Sequence, residues 1–133
     1  MEDSKWSKFS IEEKIREILA DQKYDTDHLF GRPFLTPYQI AIELLYRHPN
    51  ILDKLGMHFG GKGTVEKNAL TRYIAHQLGT RIQDGRIKDI EGRFLANDFL
   101  VKLSYQKPDG GEIESSNRGK EYLSMYRLAK ESN

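Results

Sequence analysis

The chain has 133 residues, no cysteine, and 21 Lys/Arg against 20 Asp/Glu, for a formal net charge of +1. That length suits one domain with one ordinary hydrophobic core, and the missing thiols exclude disulfides, iron–sulfur clusters and thiolate zinc sites. No apolar run reaches the length of a signal-peptide core or a bilayer span, so the expected location is the cytoplasm and no membrane partner is implied.

Residues 1–9 read as a flexible lead-in, with Trp6 an aromatic that an interface would use. Ser10 and Glu13 then spell a capping box, in which the serine hydroxyl and the glutamate carboxylate satisfy backbone amides reciprocally. Ile11, Ile15, Ile18 and Leu19 follow at helical spacing, predicting a helix over about residues 11–22. A polar linker, KYDTDHLFGR, separates it from the next element. Thr36, Pro37 and Gln39 give the strongest helix start in the chain, with Leu35 and Ile40 as a hydrophobic staple. Ile40, Ala41, Leu44 and Leu45 form the apolar stripe, and Pro49 stops the helix near His48 because a residue before proline resists helical geometry. A short turn of helix, NILDKL, ends at Gly56.

A third, longer helix is predicted from Thr64 to Asp84 with Gly85 as its left-handed cap. Its buried side is Leu70, Tyr73, Ile74, Leu78 and Ile82, while Asn68, Arg72, His76, Thr80 and Gln83 face outward. Residues 94–99 read as a short helical or irregular piece, after which Val101, Leu103 and Tyr105 alternate with polar neighbours in strand fashion. KPDGG is a hairpin turn into GEIESS, since proline presets φ and glycine accepts positive φ. YLSMYRL adds a third strand, and residues 129–133 form a flexible tail. The expected fold is therefore a single α+β domain over residues 1–133, three main helices followed by a small antiparallel sheet, in an order similar to a winged helix.

Two strings resemble catalytic motifs and fail on chemistry. GMHFGGKGT, residues 56–64, has most of a phosphate-binding P-loop, but Gly63 stands where a hydroxyl should hold magnesium, and the preceding NILDKL is helical rather than a strand. A milder expectation survives: the consecutive amides of Gly60, Gly61, Lys62, Gly63 and Thr64 form an anion-binding loop ahead of the third helix. Pro108, Asp109, Glu112 and Glu114 approximate a nuclease carboxylate pattern, but the assisting lysine is replaced by Glu114 and the proline and aspartate serve the turn. His28, His48, His58 and His76 have no metal-ligand spacing, and no nucleophile motif is present. Neither a catalytic residue, a metal nor a cofactor is implied.

Charge is unevenly placed. Residues 1–30 hold 5 Lys/Arg against 8 Asp/Glu, residues 31–93 hold 10 against 6, and residues 94–133 hold 6 against 6. The basic middle makes Lys62, Lys67, Arg72 and Arg81 the candidate nucleic-acid-binding residues on the third helix and its approach. Asp84, Asp89, Glu91, Glu112 and Glu114 dilute that patch, so a solvated mixed-charge face is the competing reading. The alternative partner is a protein or a second copy of the chain, met through Tyr38, Tyr46 and Phe59.

Across residues 30–128, with GRPFLTPYQIAIEL and GGKGTVEKNALTRYIAHQL as the carrying segments, the chain resembles short uncharacterised bacterial proteins, some of them borne on mobile gene cassettes. The resemblance implies a bacterial accessory protein and brings no catalytic residues with it. A noncatalytic binding or interaction module is the functional expectation.

Overall fold

A computed structural model describes residues 4–23, 27, 29–60, 69–115 and 122–129. Five helices come first: α1 Lys5–Lys8, α2 Ile11–Ala20, α3 Pro37–Arg47, α4 Ile51–Leu55 and α5 Leu70–Gln83. Four strands follow, β1 Ile90–Leu95, β2 Ser104–Gln106, β3 Glu112–Glu114 and β4 Leu123–Leu128, so the fold is α+β. Among the described residues no helix is long and apolar enough to cross a membrane.

The first departure from expectation is α1, in place of a flexible stretch over residues 5–8. Ser4 is its N-cap, extended and accepting from the Ser7 amide at 3.3 Å. Trp6 turns inward and is only 2% exposed. Its ring meets Tyr73 edge-on at 6.1 Å and is covered by the Arg81 guanidinium at 5.0 Å, so this aromatic joins its own core rather than an interface. Ser10 also departs from the capping box. It sits in the left-handed region at φ 53, where the chain turns the corner into α2, and its hydroxyl makes no cap bond. A side-chain cap needs the extended backbone that Ser4 has and Ser10 lacks. The apolar face of α2 is as expected, with Ile11, Ile15, Ile18 and Leu19 all buried.

α3 follows its start signal closely: Thr36 accepts from the Gln39 amide at 3.3 Å, and the Gln39 side chain accepts from the Thr36 amide at 2.8 Å. α3 ends at His48, before Pro49, and α4 ends on Gly56 at φ 68. α5 begins at Leu70 rather than at Thr64, because Ala69 is extended and bridges to His58. The Leu70 amide donates to the His58 carbonyl at 2.7 Å and the Thr71 amide to that of Phe59 at 3.1 Å. Two orphan donors of the first turn are thus satisfied by backbone, and Thr64, the expected start, lies outside the described residues. Gly60 lies against this junction at φ 107, and a Cβ there would fall 2.4 Å from the Thr71 hydroxyl.

The strands form two separate antiparallel pairs, β1 with β4 and β2 with β3. The hairpin turn is as read: the Lys107 amide donates to the Gly111 carbonyl at 2.7 Å, and Asp109 accepts from the Gly111 amide at 2.8 Å. The third strand exists but leaves the hairpin alone and pairs with β1, running Ile90 opposite Leu128 through Leu95 opposite Leu123. β1 includes Phe94 and Leu95, which had read as helical or irregular. Gly92 lies at the middle of this strand. It faces Tyr126, whose ring would stand 3.3 Å from an added Cβ, and the Tyr126 hydroxyl continues past it to donate to the Ala75 carbonyl at 3.2 Å. A glycine in a strand commonly marks such a close approach.

One buried cluster joins the elements, drawing Trp6 from α1, Ile11 and Ile15 from α2, Ile40 and Leu44 from α3, Leu70 and Ile74 from α5, and Ile90 and Tyr126 from the β1–β4 pair. The β2–β3 hairpin docks beside it through Tyr105, which stacks on Tyr38 at 5.2 Å and accepts a hydrogen bond from the Thr36 hydroxyl at 3.2 Å.

Candidate functional site

Of the four cations expected to meet nucleic acid, Arg72 and Arg81 are described, and Lys62 and Lys67 lie outside the described residues. Arg72 is exposed on α5. Arg81 is nine residues further along, half a turn round a helix of 3.6 residues per turn, and so points away from Arg72. It lies over Trp6 and donates from Nε to Gln77 at 3.1 Å, a structural position. In the expected anion loop, Gly61, Lys62, Gly63 and Thr64 lie outside the described residues, while Gly60 is buried against Thr71. Of the aromatic set, Tyr46 is 66% exposed, whereas Tyr38 is buried under Tyr105 and Phe59 packs against the core.

The structure assembles a different set of cations. The corner between α1 and α2 faces the corner between α3 and α4 across a cleft of about 430 Å³, with Lys8 and Lys14 on one wall and Arg47, His48 and Lys54 on the other. Phe9 and Pro49 give it an apolar edge over the buried Ile51, and Ser10, whose hydroxyl makes no cap bond, lines it too. No lining residue is acidic.

The two walls are fixed from beneath. Ile11, Ile51 and Leu55 are buried in the common core, and the Lys5 ammonium donates to the Leu55 carbonyl at 2.7 Å, clamping α1 to the end of α4. Lys14 donates to the Phe9 carbonyl at 2.7 Å, which shapes the corner while leaving its charge uncompensated. Lys8 stands 5.5 Å over the Phe9 ring, and Lys54 is exposed in the last turn of α4. None of these three ammonium groups pairs with a carboxylate among the described residues. Arg47 differs, since it bonds Glu43 and Asp21, each at 2.7 Å. These bonds hold its guanidinium charged, its pKa raised first by the Glu43 hydrogen bond.

His48 records the local field. Burial pushes its imidazole below the ordinary value, and Lys14, Lys54 and Arg47 push it the same way, against the opposing pull of Glu17. The imidazole is therefore neutral near pH 7 and offers a hydrogen-bonding nitrogen rather than a fixed charge. A concave site with three uncompensated ammonium groups and one neutral imidazole can hold an anion by charge and hydrogen bonding. Among the described residues no three His, Asp or Glu side chains gather as metal ligands.

The cleft was not visible as a motif because its cations come from regions of opposite charge balance. Lys8 and Lys14 lie in the acidic first thirty residues, and Arg47, His48 and Lys54 in the basic middle. The available signal was the pair of tight corners, one before α2 and one at Pro49, each flanked by basic residues that Glu12, Glu13 and Asp53 offset in a count along the chain. Compared with known proteins, the chain matches no family model, no curated protein and no solved structure.

Proposed function

We propose that this protein is a noncatalytic binding module whose ligand is anionic and phosphate-bearing and sits in the cleft between the α1–α2 and α3–α4 corners. The observation that carries this reading is the meeting of Lys8, Lys14 and Lys54 around one concavity that has no acidic lining residue. Like charges brought together in a fold raise its energy, and a bound anion removes that cost. A ligand that binds only the folded state raises its stability by an amount set by concentration over Kd. The test is thermal unfolding in pyrophosphate against chloride at equal ionic strength. Stabilisation of the wild type that is lost in Lys14→Ala, Lys54→Ala supports the reading, and equal melting in both salts sinks it.

A winged-helix-like use of α5 on nucleic acid is the second reading, favoured by the exposure of Arg72 and by the hairpin that follows α5 in the chain. It has less support. Arg81 is engaged with Trp6, β1 intervenes before the hairpin, and Glu114 on the hairpin carries a carboxylate paired with Lys102. Salt-dependent anisotropy of a labelled duplex, reduced by Arg72→Ala and unchanged by Lys54→Ala, would favour it over the cleft.

A further inference from the structure

We infer that the cleft is built for a compact terminal phosphate group carrying two or three negative charges, a phosphomonoester or diphosphate, rather than for the internal phosphodiesters of a nucleic-acid strand. This rests on the cleft being an anion site, as proposed above.

Shape is the first argument. A surface that follows a strand presents cations in series along a groove, each meeting one singly charged diester. Here Lys8 from the end of α1, Lys14 from the first turn of α2 and Lys54 from the last turn of α4 converge on one cavity. Its volume of about 430 Å³ falls in the range of small-ligand pockets.

Charge is the second. Arg47 is already compensated by Asp21 and Glu43, and His48 is neutral, which leaves three ammonium groups for the ligand. A single diester would neutralise one of them, whereas a terminal phosphate or diphosphate matches two or three. Lysine suits that geometry, being a point charge with three donors rather than the planar fork that arginine offers.

The remaining lining fits the same group. The Ser10 hydroxyl lies at the start of α2, a ten-residue helix whose first amides have no side-chain cap from Ser10. Phe9 and Pro49, over the buried Ile51, then give a small apolar edge on which the organic part of a phosphorylated small molecule can rest. Free pyrophosphate and a nucleoside diphosphate share the recognised group and differ only in that edge.

The experiment is isothermal titration of the full chain at fixed ionic strength with four probes: pyrophosphate, a nucleoside diphosphate, a nucleoside monophosphate, and a dinucleoside joined by one internal phosphodiester with no terminal phosphate. The first three are expected to bind saturably, and the last to bind at least about tenfold more weakly. Lys54→Ala, at an exposed residue with no bond to break, is expected to weaken the diphosphates about tenfold, with circular dichroism confirming an unchanged fold. Tighter binding of the nucleoside diphosphate than of pyrophosphate assigns the apolar edge to a base and sugar; equal binding assigns recognition to the phosphates alone. A dinucleoside that binds as well as the diphosphates overturns the preference for a terminal group while leaving an anion site in place. If no probe binds, or if Lys54→Ala leaves every affinity unchanged, the cleft reading itself falls.

Discussion

Replacing Trp6 with alanine tests whether the short helix at the start of the chain is part of the core. The residue is 2% exposed, meets Tyr73 edge-on at 6.1 Å, and lies under Arg81 at 5.0 Å. Truncating a buried aromatic to alanine costs about 3–5 kcal/mol in lost transfer energy and cavity. Here the lost ring contact and the uncovered guanidinium place the expectation near the middle, about 4 kcal/mol. For a domain of this size a urea slope of about 2 kcal/mol per molar is ordinary, so the midpoint should fall by about 2 M. Trp6 is the only tryptophan, so the assay must follow ellipticity rather than intrinsic fluorescence. Arg81→Ala, which removes the cation and leaves the ring buried, should cost about 1 kcal/mol. A midpoint shift below about 0.5 M for Trp6→Ala would refute the docking of α1. Because the α1–α2 corner carries Lys8 and Lys14, Trp6→Ala is also expected to weaken anion binding without touching the cleft.

Three further outcomes follow from local geometry. Gly60→Ala places a Cβ 2.4 Å from the Thr71 hydroxyl at a φ of +107 and should cost about 3 kcal/mol in denaturant unfolding, whereas Gly85→Ala, with open space around it at φ +86, should cost about 1 kcal/mol; equal losses would mean that Gly60 does not meet Thr71. Tyr105→Ala removes the stack on Tyr38 and the Thr36 bond, so amide exchange should accelerate in β2 and β3 while α2 and α5 keep their protection, and a uniform acceleration would refute the hairpin as a separately docked unit. For His48, whose folded pKa is depressed by burial and then by Lys14, with Glu17 opposing, stability should be fully present above the ordinary value of 6.5 and decline as the pH falls through it. His48→Gln should flatten that decline in unfolding experiments between pH 8 and 5, and an unchanged profile would place the titration elsewhere.

The parts of the fold legible in sequence are those governed by local chemistry. Thr36, Pro37 and Gln39 specify their capping box within four residues, and Lys107 to Gly111 specify their turn within five, so neither needs tertiary information. The apolar face of α2 was equally plain from spacing. Ser10 shows where local rules stop: its capping-box spelling is intact, but burial of Trp6 draws the chain round a corner that puts Ser10 at positive φ. β1 was obscured because the period of FLANDFLVKL fits helix or strand equally, and what decides it is pairing with β4, with Gly92 opposite Tyr126 more than thirty residues away. The candidate site was the least legible, since Lys8 and Lys54 become neighbours only when the Lys5 clamp and the buried Ile11, Ile51 and Leu55 bring two corners together. Counting charge along the chain pointed instead to α5, where helical period sets Arg72 and Arg81 on opposite sides.

How the cations are used elsewhere in the fold bears on the cleft. Arg16 bonds Glu12 and Asp89, Arg86 bonds Asp84, Arg127 bonds Glu91, and Lys102 bonds Glu114, so these side chains have their counter-charges within the chain. Lys5 caps a backbone carbonyl at the end of a helix, where a positive charge also suits the dipole. Lys14 also donates to a backbone carbonyl, that of Phe9 at the end of α1, but Lys8, Lys14 and Lys54 share one concave surface and none of them pairs with a carboxylate among the described residues. A structural purpose for that gathering would bring an acidic partner with it, but no carboxylate lines the cleft, and Asp21 and Glu43 are paired with Arg47. The arrangement thus holds positive charge together and leaves its neutralisation to something outside the chain, which is the physical basis for reading the cleft as a binding site.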